Sequence, residues 1–193
     1  MPQKFDIRQR QELLSEQREA TLHPEEMLRR LGLSRGDTIA DIGCGPGFFT
    51  IPAAEIVGDG GVVLAADIQG EMLSAIRTRA AEHGLTNVHV VKTSDKEIPI
   101  PDASCDVVLL AFVLDEVGQR ASFLHRAARL LKPGGRLAVL EWEKEQQPEG
   151  PPIADRISPE ELRADADAAG LYLDEQRELN DHHYICVFTR AKR

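Results

Sequence analysis

Short apolar runs alternate with amphipathic stretches along most of the chain. "DTIADIG" from Asp37, "VVLAADI" from Val62, "NVHVVK" from Asn87, "CDVVLLAFVL" from Cys105 and "RLAVLEW" from Arg136 read as strands. The fourth is nearly all apolar, the pattern of a strand buried on both faces. Between them lie helical patterns. "FFTIPAAEIVG" tolerates Pro52 near its start. "QGEMLSAIRTRAAEHG" carries Met72, Leu73, Ile76 and Ala80 on one stripe and closes at Gly84. "RASFLHRAARLL" is broken by "KPGG" at Lys132 to Gly135. Ser158, Pro159 and Glu161 form a capping box that opens a last helix, "PEELRADADAAG". "LYLDEQREL" and "HYICVFT" close the chain as a pair of strands. Upstream, from about Arg8 to Leu31, Leu13, Leu14, Leu22, Met27, Leu28 and Leu31 recur at helical spacing, with Pro24 opening a second short helix.

Strand and helix alternate five times before the closing pair, which predicts βαβ units: an α/β fold with a mostly parallel sheet covered by helices on both faces. The expected division is a helical N-terminal cap (1–31), a core (32–142), a lid-like loop (143–160) and a closing helix and hairpin (161–193) in one domain. In such sheets ligands bind beyond the carboxyl ends of the strands.

A length of 193 residues suits one domain, and 42% hydrophobic with 28% charged residues suits a soluble chain with a core. The formal charge of -9 argues against a nucleic-acid partner, which needs clustered Lys and Arg. The compact basic stretch "RAKR" at Arg190 to Arg193 reads as a solvated tail. No run approaches the ~20 apolar residues of a membrane span. The charged N-terminus lacks a signal-peptide core, so a cytoplasmic location is expected. Cys44, Cys105 and Cys186 lie far apart and suggest neither a zinc site nor a disulfide framework.

The chemistry concentrates in "ADIGCGPGFFT", Ala40 to Thr50. No Lys follows Gly47, so this is not a phosphate-binding P-loop. A dinucleotide fingerprint needs a glycine where Phe48 stands, which argues against a NAD enzyme. Asp41 beside the loop would repel phosphate and suits a cationic ligand. Asp67 ends the second strand, where an acid accepts hydrogen bonds from ribose hydroxyls. S-adenosylmethionine combines a ribose, an ammonium and a sulfonium, without a pyrophosphate.

"ADIGCGPG", "VVLAADI", "PIPDASCDVVLLAFVLDEV" and "LLKPGGRLAVLEW" together resemble the class I S-adenosylmethionine-dependent methyltransferases. The ends are similar to the ubiquinone/menaquinone C-methyltransferase branch. The resemblance implies a Rossmann-like three-layer sandwich of seven strands, the last antiparallel. It implies that Gly43, Gly45 and Gly47 flank the methionine portion, that Asp67 binds ribose, and that Ile68 and Met72 pack on the adenine side. It places Ser94 or Asp95 near the adenine amino group, and Ala111 and Phe112 along the methyl-donor site. Where that branch often carries His-His or His-Glu, this chain has Asp115 and Glu116. These two either accept a proton from the acceptor or cap the next helix. Glu141 and Trp142 end the fifth strand on the ligand side. His182 and His183 precede the last strand and read as surface or hairpin-turn residues, with the alternative that one of them reaches the site.

The expectation is methyl transfer to a small-molecule acceptor with S-adenosylmethionine as cofactor and no metal. The alternative is a non-catalytic module that binds S-adenosylmethionine or S-adenosylhomocysteine. The acceptor stays open, as does the oligomeric state, for which a homodimer is the common outcome.

Overall fold

A computed structural model describes residues 12–147 and 149–190. The start of the N-terminal helical reading, Arg8 to Gln11, and the end of the basic tail lie outside the described residues. A turn at Glu12–Leu14 leads into α1 (Glu16–Leu22) and α2 (Pro24–Arg30). Ser15 caps α1 by accepting from the Arg18 N–H at 3.3 Å, and Pro24 takes the first turn of α2, where no N–H is needed. The chain continues through β1 (Thr38–Ile42), α3 (Thr50–Val57), β2 (Val62–Asp67), α4 (Gly70–Glu82), β3 (Val88–Lys92) and β4 (Cys105–Ala111). It ends with α5 (Arg120–Ala128), β5 (Leu131–Trp142), α6 (Pro159–Ala168), β6 (Leu171–Asn180) and β7 (His183–Arg190).

The seven strands form one sheet in the order β3-β2-β1-β4-β5-β7-β6. Pairing is parallel from β3 through β5, and β7 runs antiparallel to both β5 and β6. Side chains alternate between faces along each strand. On β2, Val63 packs with α2 and α3 and Ala65 with Leu73 and Ile76 of α4, while Ala66 joins Leu124, Leu162 and Phe188 on the other face. The sheet is therefore covered by α2, α3 and α4 on one side and by α5 and α6 on the other.

Three local outcomes differ from the sequence reading. β4 stops at Ala111 rather than Leu114, because Phe112 turns into the left-handed region at φ 59°. β5 begins at Leu131, earlier than Arg136, and absorbs "KPGG" through a bulge opposite Cys105 and Val107. The two short N-terminal helices also diverge in role. Met27 and Leu28 of α2 are fully buried in the core, each worth about 2 kcal/mol of apolar burial. Ahead of α2, Leu13 lies beside Gly45 of the glycine loop and Arg18 over Phe48. The capping box on α6 forms as expected, Glu161 accepting from the Ser158 N–H at 2.8 Å.

Candidate functional site

The carboxyl ends of β1, β2, β4 and β5 share one edge of the sheet because these strands are parallel. The glycine loop leaves β1 there. The Gly43 N–H donates to the Ala66 carbonyl at 2.7 Å, and the Gly45 N–H donates to Asp67 Oδ2 at 3.0 Å. Asp67 Oδ1 accepts from the Gln69 N–H at 2.7 Å. Asp67 thus ties the loop to the start of α4, with acceptor capacity left beyond these two N–H groups and that of Ile68. Burial raises its pKa against the pull of these N–H groups. Arg79 of α4 clamps the loop from outside by donating to the Pro46 carbonyl at 2.9 Å.

Gly43 has φ 74°, and a Cβ there would stand 2.4 Å from Val113 Cγ2. Only glycine lets the loop pass so close to the turn that follows β4. Asp41 lies beneath the loop, buried, and accepts from Thr50 Oγ1 at 2.6 Å; burial pushes its pKa up to about 6. Thr50 opens α3, so this contact locks β1 to that helix, a partner the sequence reading did not identify. Cys44 is buried within the loop, its thiol pKa raised by burial and by Asp41 and Asp67. Among the described residues, no group of three or more His, Cys, Asp or Glu is arranged to hold a metal ion.

The other expected cofactor residues spread around this edge. Ile68 is half-buried just past β2, with Lys92 Nζ donating to its carbonyl. Met72 is fully buried beneath the first turns of α4. Ser94 is exposed, its hydroxyl accepting from the Glu97 N–H at 3.1 Å, and the neighbouring Asp95 carbonyl accepts from Arg126 at 3.2 Å. Ser94 and Asp95 sit together in the turn after β3. Ala111 and Phe112 are half-buried at the end of β4.

Beside them is an aromatic wall built by register. Trp142 of β5 pairs directly with His183 of β7, so their rings meet at 4.3 Å. Phe112 stands 5.8 Å from Trp142 and 5.2 Å from His183. His183 is buried here rather than displayed in the hairpin turn; only His182 is exposed. The Asn180 side-chain N–H₂ donates to the Thr21 carbonyl and its Oδ1 accepts from the His182 N–H, which fixes the amide. The 2.9 Å contact from Asn180 Oδ1 to His183 Nδ1 therefore carries its proton on Nδ1, leaving Nε2 as an acceptor. Burial, with the charges of His182, Arg18 and Arg156, lowers the His183 pKa to about 4, so the ring is neutral at pH 7.

Asp115 and Glu116 lie in a turn at Leu114–Glu116. Glu141, buried at the end of β5, holds that turn: its Oε1 accepts from the Val113 N–H at 3.2 Å and the Leu114 N–H at 3.0 Å. Asp115 Oδ1 is buried with no hydrogen-bond partner among the described residues. Burial raises the pKa of both carboxyls, and the charge of Asp115 raises that of Glu141 further. Both carboxyls are thus held above the usual carboxylate range.

The 143–157 loop folds over this edge around Arg156. The guanidinium donates to the carbonyls of Pro151, Glu143, Glu145 and Glu149 at 2.5–3.1 Å. Its carbon lies 5.3 Å from the Trp142 ring, and Gly150 also packs against that ring, 2.7 Å from Cδ2 to the place of a Cβ. Gln17 of α1 meets Glu149 of this loop at 3.4 Å.

This donor set fits S-adenosylmethionine. Two buried acids underlie the loop where a phosphate would need cations, Phe48 fills the place of a third glycine, and Asp67 retains lone pairs for hydroxyls. Comparison with known proteins agrees. The profile of the ubiE/COQ5 methyltransferase family matches residues 6–150. The chain belongs to the ubiE/COQ5 methyltransferase family. It is 39% identical over 128 residues to the ubiquinone/menaquinone biosynthesis C-methyltransferase UbiE of Vibrio campbellii, covering 66% of this chain and 47% of that protein. The Azotobacter vinelandii enzyme of the same name is 40% identical over 114 residues, 58% of this chain and 45% of that one. The chain spans about half the length of these curated relatives. A SAM-dependent methyltransferase from Aquifex aeolicus superposes with TM-score 0.91 at 31% identity, covering 96% of this chain and 98% of that one. The Aquifex protein is thus one that depends on S-adenosylmethionine. Among the described residues no helix is long and apolar enough to cross a membrane.

Proposed function

We propose that the chain transfers a methyl group from S-adenosylmethionine to a small-molecule acceptor lying against the Phe112–Trp142–His183 wall. The observation that carries this is the meeting, at one sheet edge, of the glycine loop and Asp67 with the Phe112–Trp142–His183 wall and two buried carboxyls. Bound there, S-adenosylmethionine supplies a methyl carbon made electrophilic by its sulfonium.

In this reading the Gly43–Gly47 loop and Asp41 border the methionine portion, and Asp67 receives the ribose hydroxyls on its remaining lone pairs. Ile68, supported by Met72 beneath it, forms the adenine platform, with Ser94 and Asp95 closing its edge. Ala111 and Phe112 line the path between donor and acceptor. The 143–157 loop and α1 keep water from that path. Asp115, with a raised pKa and a free oxygen, takes the proton an acceptor gives up, and Glu116 lies beside it. Glu141 acts through the turn it holds rather than on the acceptor. The wall suits a planar, largely apolar acceptor, in keeping with the quinone pathway in the names of the Vibrio and Azotobacter relatives.

The test is incubation of the protein with methyl-deuterated S-adenosylmethionine and a small-molecule extract containing quinone precursors, followed by mass spectrometry. A labelled product absent with Asp115→Asn supports the reading. S-adenosylmethionine binding with no labelled product from any acceptor supports the non-catalytic module instead.

A further inference from the structure

Arg18 is a charged side chain at this edge that the proposed reaction does not use. It leaves α1 and lies between two rings, its guanidinium carbon 4.9 Å from the Phe48 centroid and 5.1 Å from that of Phe112. Phe48 belongs to the glycine loop and Phe112 to the acceptor wall, so the cation sits at their junction. Among the described residues no carboxylate pairs with it. Burial pushes its pKa down to about 10, and among the described residues no counter-charge opposes that shift. The side chain is half-buried, so its guanidinium gives up part of its hydration, and two ring faces return only about 1 kcal/mol each. Among the described residues the arrangement has no anion. Two other arginines near this edge are engaged: Arg156 donates to four carbonyls, and Arg79 to Pro46.

We infer that Arg18 is a carboxylate clamp, its planar fork of N–H donors receiving the carboxylate of a ligand bound at this edge. This rests on reading the edge as the cofactor and acceptor site. The carboxylate belongs either to the amino-acid arm of the cofactor or to an acidic acceptor. The two rings hold the guanidinium plane in place, so little side-chain freedom is lost on binding.

The test is calorimetric and needs no turnover. Wild type, Arg18→Met and Arg18→Lys are titrated with S-adenosylhomocysteine, with 5′-methylthioadenosine, which lacks the amino-acid arm, and with benzoate on the S-adenosylhomocysteine-saturated protein. Methionine keeps the apolar packing between the rings, and lysine keeps the charge without the fork. A tenfold or greater loss for S-adenosylhomocysteine in Arg18→Met, with 5′-methylthioadenosine unchanged, assigns the clamp to the cofactor. Unchanged nucleoside binding with benzoate binding lost assigns it to the acceptor. Arg18→Lys shows a smaller loss for the same probe and carries the test should Arg18→Met fail to fold. Equal losses for both nucleosides, no loss for any probe, or no binding of either carboxylate probe to wild type overturns the clamp. A wild type that binds benzoate but neither nucleoside refutes the cofactor reading alone.

Discussion

Replacing Gly43 by alanine strikes the point where the glycine loop meets the turn after β4. Two costs add. An L-residue at φ 74° costs about 1–2 kcal/mol. The new Cβ, 2.4 Å from Val113 Cγ2, forces one segment back by more than ~1 Å, and overpacking of this kind costs about 1–3 kcal/mol. Gly43→Ala should therefore lose about 2–5 kcal/mol, measured by urea unfolding of wild type, Gly43→Ala, Val113→Ala and the double variant. Val113→Ala alone, at a half-buried site, costs about 1 kcal/mol. In the double variant the clash disappears and the backbone cost stays, so the cycle should show a favourable coupling of about 1–3 kcal/mol. S-adenosylhomocysteine affinity should fall in Gly43→Ala and recover in part in the double variant. A loss below about 0.5 kcal/mol, or a strictly additive cycle, would refute the claim that loop and turn touch here.

Three further outcomes follow. Glu141, whose pKa is pushed up to about 8, contributes stability that is complete below the unfolded carboxyl range and lost as pH rises through the folded value. His183, depressed to about 4, acts in the opposite sense but only below its unfolded value near 6.5, and Asp41 has finished titrating by then. Wild type should therefore lose about 1–2 kcal/mol between pH 6.5 and 8.5 in thermal or urea unfolding, and Glu141→Gln should flatten that slope; equal slopes refute it. Asp115→Asn should retain S-adenosylhomocysteine affinity within about twofold while turnover falls by about 10²-fold or more, measured by single-turnover methyl transfer. Arg156→Met removes donors from four carbonyls and should make residues 143–157 the first site of limited proteolysis, read by mass spectrometry, with the core strands still protected.

The sheet and the position of the glycine loop were legible because their signals are local. Strand ends, glycines and an acid at the end of β2 sit in fixed order, and parallel pairing then brings them to one edge. The capping box at Ser158 was legible for the same reason. What the sequence hid depends on pairings distant along the chain. His183 reads as a turn residue until register places it opposite Trp142. Thr50 looks like an ordinary first helical residue until it meets Asp41. Arg18 shows nothing until α1 docks over Phe48 and Phe112. The 143–160 segment, polar and proline-rich, signals a loop, but no local pattern says that Arg156 gathers it onto Trp142. The left-handed turn at Phe112 has no sequence marker at all, since a bulky residue rarely adopts it.

The central claim is that the glycine loop and Asp67 hold S-adenosylmethionine. Calorimetric titration of wild type and Asp67→Ala with S-adenosylmethionine, S-adenosylhomocysteine and NADH tests it most directly. The account predicts one-to-one micromolar binding of the first two, at least tenfold weaker in Asp67→Ala, and none of NADH. Binding of NADH, or no binding of either sulfur nucleoside to wild type, would contradict it.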